Sequence, residues 1–120
     1  MLAATLLGLA SLAQPAVAQT PSRLEAQIAH GRALAAANCA GCHAVGALGS
    51  SPDRRAPPFR LLSGRYVELT LHRKLTEISE TGHYDMPPVP VHTDEVRAIV
   101  AYINSLEAAE RPPRIPPTRP

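Results

Sequence analysis

Cys39-Ala40-Gly41-Cys42-His43 decides how the rest of this sequence is read. Two thiols stand three positions apart, and an imidazole follows the second directly. One helical turn brings the two sulfurs to one side, and the small residues Ala40 and Gly41 let the backbone lie close to whatever the sulfurs bind. A closed zinc site needs four protein ligands. This chain has two cysteines and no His-x3-His partner. A thioredoxin-like pair belongs in a βαβ setting, whereas helix-forming residues precede Cys39. A disulfide across two intervening residues would constrain very little chain. The spacing is that of covalent c-type haem attachment, in which each cysteine adds to one haem vinyl group and the histidine binds the iron from the proximal side. The expected cofactor is one haem c, held through Cys39 and Cys42, with His43 on the metal.

Outward from the motif, the 120-residue chain divides into three parts. Residues 1–12 are mostly Leu, Ala and Gly without a charged side chain, and Ala16-Val17-Ala18 is a small-x-small cleavage site. Residues 1–18 therefore read as a secretory signal peptide. The apolar run breaks at Gln14-Pro15, short of the ~20 residues a spanning helix needs, so no integral span is expected after cleavage. Residues 19–110 form the expected domain. From Arg111 to Pro120 half the residues are proline, with arginine at 111, 114 and 119. Such a tail favours polyproline geometry and resists packing. An exported chain with this motif is expected in the bacterial periplasm.

Aromatic residues make up 3% of the chain, too few to fill a core unaided. A domain of roughly a hundred residues also buries a small share of its surface, and a haem would supply the missing apolar bulk. The formal net charge of +2 favours neither nucleic acid nor an anionic membrane as partner.

Local signals then place the elements. Thr20 and Pro21 suit the N-cap and first position of a helix that runs from Ser22 to about Asn38. Gly31 interrupts it, at ~1 kcal/mol relative to alanine, which suggests the close approach of another helix. Residues 45–56 are rich in Gly, Ser and Pro and read as loop, followed by the extended Ala56-Pro57-Pro58-Phe59. Val67, Leu71, Leu75 and Ile78 recur at helical spacing, and Gly82 ends that helix. Thr93, as N-cap, opens a last helix with Asp94 and Glu95 in its first turn and with Val96, Ile99, Val100, Ile103 and Leu106 on one face.

Met86 is the single methionine besides Met1, and it sits among prolines and polar residues where a packing filler has little to fill. That position suits a sixth ligand to haem iron. His72, His83 and His92 compete for the role; His72 falls within a helix, and the other two flank the methionine segment.

The order of helix, C-x-x-C-H, proline segment, Gly-Arg, helix, Met-Pro loop and C-terminal helix resembles the class I cytochrome c family, small monohaem bacterial type. The resemblance implies an all-α cytochrome c fold, three to four helices wrapped around one covalent haem, with the N- and C-terminal helices crossing. In that family the glycine eight residues before the first haem cysteine crosses an apolar residue and a tyrosine of the C-terminal helix; Gly31, Ile99 and Tyr102 match. An aromatic one turn after that glycine is Ala35 here, which implies a thinner contact. The family's first proline offers its carbonyl to the proximal histidine, and Pro57 matches; Arg65 matches a residue that contacts a haem propionate, with Tyr66 a second candidate.

The resemblance further implies a one-electron carrier, or an electron-accepting subunit of a periplasmic redox chain, with His43 and Met86 on the iron. It would be monomeric and not an enzyme, and its partners would be redox proteins. The alternative reading is a haem enzyme or gas sensor with an open sixth position and His83 as its distal acid or base.

Overall fold

The structure, a computed structural model, describes residues 20–83 and 87–110, with side chains through 107. The expected signal peptide, the Pro/Arg tail and Met86 lie outside these residues. Helix α1 is Arg23–Asn38, α2 is Glu68–Thr81 and α3 is Thr93–Glu110, with one short 3-10 turn at Phe59–Leu61. No extended strand occurs among the described residues, and none of their helices is long and apolar enough to cross a membrane. The expected all-α architecture holds.

Helix α1 starts two residues later than its proline suggested. Ser22, not Thr20, is the N-cap: its hydroxyl accepts from the Glu25 backbone N–H, and Glu25 Oε2 accepts from the Ser22 N–H at 2.6 Å. That reciprocal capping box satisfies two orphan donors of the first turn and outcompetes a single threonine cap. Only Gly31 and Ala35 of α1 are buried. They lie one turn apart, so α1 presents a groove of small residues rather than a ridge.

Into that groove fits α3, which supplies most of the core. Val96, Ala98, Ile99, Val100, Tyr102, Ile103 and Leu106 are all buried. At the crossing, a Cβ on Gly31 would run into the carbonyl of Ala98. Glycine is required there by backbone contact with α3, at the crossing the resemblance implied. Ala35 is fully buried in the same cluster, so the small residue lets α3 close in rather than leaving a gap. Helix α3 begins at Thr93 itself, and the capping position falls to His92, whose N–H donates to Glu95 Oε2 at 2.7 Å.

Helix α2 packs against α3 through Leu71, which is buried, while Leu75 and Ile78 are half-buried. Val67, expected on that face, is 73% exposed because it stands at the N-cap, one residue before the helical spacing takes hold. Gly82 ends α2 with its N–H on the Ile78 carbonyl at 2.8 Å and with φ +70°.

A haem crevice as candidate functional site

The motif continues α1 by one more turn. Cys39 N–H donates to Ala35 O at 2.9 Å, and the N–H groups of Cys42 and His43 both return to Cys39 O, at 3.2 and 2.9 Å. The turn carries His43 inward and leaves Cys42 exposed. The loop then wraps back over it: Asp53 N–H donates to Cys42 O, Phe59 N–H to Ala44 O, and Ala44 N–H to the Ser51 hydroxyl. Arg55 braces this loop by donating to both carboxylate oxygens of Asp53, which holds that carboxyl below its usual range. Tyr102 of α3 donates its hydroxyl proton to Val45 O at 2.7 Å, pinning the residue two positions beyond His43 to the helical core.

His43 is 7% exposed. Its Nδ1 lies 2.8 Å from the carbonyl oxygen of Pro57. A carbonyl can only accept, so Nδ1 carries the proton, and Nε2 of the neutral ring keeps its lone pair for a metal. The Phe59 ring packs on the imidazole, centroids 5.3 Å apart.

His43 opens on a cavity of about 320 Å³. Cys39, Pro57 and Phe59 form its wall on the motif side, and Leu71, Leu75, Ile78, Gly82 and His83 form the wall supplied by α2 and its end; Leu62, Tyr66, Lys74 and Glu77 complete it. The volume falls within the ~300–1,000 Å³ of ordinary ligand sites. Cys39 is half-buried here, and desolvation pushes its thiol up to about 11. Neither cysteine is in a disulfide. Among the described residues no three His, Cys, Asp or Glu side chains group as a closed metal site requires.

The residues fit a haem attached through its edge. Aliphatic walls suit the faces of a porphyrin, a cysteine stands at the wall, and the one buried imidazole presents the tautomer that can bind iron. The family model described as Cytochrome C oxidase, cbb3-type, subunit III matches residues 26–103, from within α1 to the later turns of α3. The chain belongs to this family. Its fold is that of a class I c-type cytochrome domain, and the role that goes with it is haem-based electron transfer. Comparison with curated proteins and with solved structures gave no match.

Of the residues singled out in the sequence, Cys39, His43, Pro57 and Tyr66 meet at the cytochrome's crevice. Cys42 belongs to the same turn but faces outward. Arg65 is exposed and is not part of the wall. Met86 lies outside the described residues. Sequence reasoning passed over Phe59 and Lys74. Phe59 had a signal, as the sole phenylalanine of an aromatic-poor chain, placed directly after two prolines. Lys74 had none beyond standing three residues after Leu71 on the same helix.

Proposed function

We propose that the chain is a monohaem c-type cytochrome that passes single electrons between redox proteins in the bacterial periplasm, with His43 and Met86 on the iron. The observation that carries this reading is the buried His43, set by Pro57, at the mouth of an apolar crevice that also holds Cys39. Bound haem supplies a ferric/ferrous couple that takes up and gives back one electron. Cys39 and Cys42 each give a sulfur to a thioether bond, which ties the group to the end of α1. His43 gives its Nε2 lone pair to the metal. The Pro57 carbonyl draws on the Nδ1 proton, which fixes the ring and strengthens it as a donor. Leu71, Leu75 and Ile78 keep water from the crevice. Met86 adds a soft thioether, which favours the reduced state and raises the potential above that of two imidazoles. The family's description makes subunit of an oxidase the alternative to a free carrier.

Two measurements test the proposal. A pyridine haemochrome assay on periplasmic extract should show haem that resists acid-acetone extraction. The oxidised protein should show the weak far-red band of methionine on ferric iron. Haem that washes out would refute attachment; a high-spin spectrum without the band would favour an open site.

A further inference from the structure

The crevice holds a second imidazole. His83 lines the cavity, and its ring centre stands 6.2 Å from that of His43, with the planes tilted by 54°. Metal–imidazole bonds run about 2 Å, so two imidazoles that bind one ion from opposite sides have ring centres on the order of 6 Å apart. The separation is thus what shared ligation would require.

Backbone geometry holds His83 there. Gly82 is buried, with φ +70° and ψ −173°, a region essentially reserved for glycine, and its N–H is fixed on Ile78 O. The chain therefore leaves α2 by a turn that other residues would strain, and the first side chain after that turn lines the crevice. Met86 follows three residues later, within about 10 Å of extended chain.

We propose that His83 is a second ligand for the distal side, able to replace Met86 at the sixth position. The inference rests on the haem reading above and goes beyond it by giving the site two settings. With haem bound, His83 would offer an imidazole nitrogen to the metal in place of the Met86 sulfur, one bond to the iron being given up for the other. The thioether leaves neutral and the imidazole enters neutral, so neither a proton nor an electron moves. Nitrogen replaces a soft sulfur donor, so the potential falls.

The test compares the haem-loaded full chain with Met86→Ala, Met86→Leu and each of these combined with His83→Ala. Leucine nearly conserves methionine's volume and guards against loss of folding. Haem content is read first by pyridine haemochrome. Spin state is then read by visible and electron paramagnetic resonance spectra, and openness by carbon monoxide uptake. The single variants are expected to lose the far-red band, stay low-spin, fall in potential and resist carbon monoxide; the double variants turn high-spin and bind it readily. Single variants already as high-spin and as open as the doubles would overturn the proposal, leaving the two rings as a packing contact. A wild-type protein that lacks the band and turns high-spin on His83→Ala alone would support His83 while refuting Met86. Wild-type chain without covalent haem would overturn both readings.

Discussion

Gly31→Ala tests the crossing on which the fold depends. The added methyl points into the Ala98 carbonyl of α3, and Ile99 N lies within 3.0 Å of the same point. Both are backbone atoms, so no rotamer change relieves the overlap, and α3 must move away from α1. Overpacking of a tight core costs about 1–3 kcal/mol, more where nothing can yield. Against this, alanine recovers ~1 kcal/mol of helix propensity. With two backbone atoms in the way the cost belongs at the upper end of the overpacking range, so the net loss is expected at about 2 kcal/mol, which for a domain of this size lowers Tm by roughly 8–16 °C. Urea and thermal unfolding of the haem-loaded protein, followed by far-ultraviolet circular dichroism, measure it. Gly64→Ala is the control, because its Cβ would meet only Leu61 O at 3.9 Å. Ala98→Gly should not rescue Gly31→Ala, since the atom struck is backbone. A Gly31→Ala protein within about 0.5 kcal/mol of the control would refute the close crossing.

Tyr102→Phe removes the bond to Val45 O and should destabilise by about 1 kcal/mol; an unchanged melt would show that α3 does not anchor the motif loop. Gly82→Ala forces a side chain into the glycine-only turn, and urea unfolding should show a loss of about 1–3 kcal/mol. Glu25 is held below its ordinary 4.5 by the Ser22 backbone N–H and hydroxyl, so its contribution is present above that value and fades as pH falls through the lower folded one. Glu25→Gln should therefore be less stable than wild type near neutrality, and the gap should close in acid; a gap that persists at low pH would point to packing instead. Lys74 is the sole lysine and the formal net charge is +2, so outside the arginine tail charge steering toward an acidic partner should be weak. Stopped-flow oxidation by a redox partner should change little across a salt series, and a steep fall in a chain truncated at residue 110 would contradict this.

The helices were legible because their signals were local. Leu71, Leu75 and Ile78 at helical spacing and Gly82 at the stop needed no tertiary knowledge. The candidate site was legible where its residues are close in sequence, as with Cys39 and His43, which line one cavity. What local reading missed were outcomes of competition or long-range geometry. Thr20 lost the cap because Ser22 had Glu25 three residues on, a reciprocal pair stronger than proline placement. Val67 matched the apolar period yet lies outside the helix that the period describes. Phe59 reaches His43 only because its N–H bonds back to Ala44, fifteen positions earlier, and no periodicity encodes that return.

The two walls of the crevice are secured to α3 by different means, and this difference locates where tuning can occur. The motif wall is fixed twice, through the α1 crossing at Gly31 and through the Tyr102 bond to Val45. The α2 wall rests on α3 through Leu71, with Leu75 packed beside the core and both Leu75 and Ile78 lining the cavity. A haem between the walls would join them, supplying the apolar layer that three tyrosines and one phenylalanine cannot. Cys39 and His43 thus stand on the wall that is anchored twice, and the proposed proximal ligation would have little freedom to vary. The proposed distal ligands, His83 and Met86, both belong to the connection between α2 and α3, where Gly82 turns the chain so that His83 lines the crevice and Pro87, Pro88 and Pro90 deny it a helix. A connection of that kind can change which side chain it presents without disturbing any helix crossing. On the proposed ligation, the choice between methionine and imidazole, and with it the potential, would fall to this connection rather than to either helix crossing.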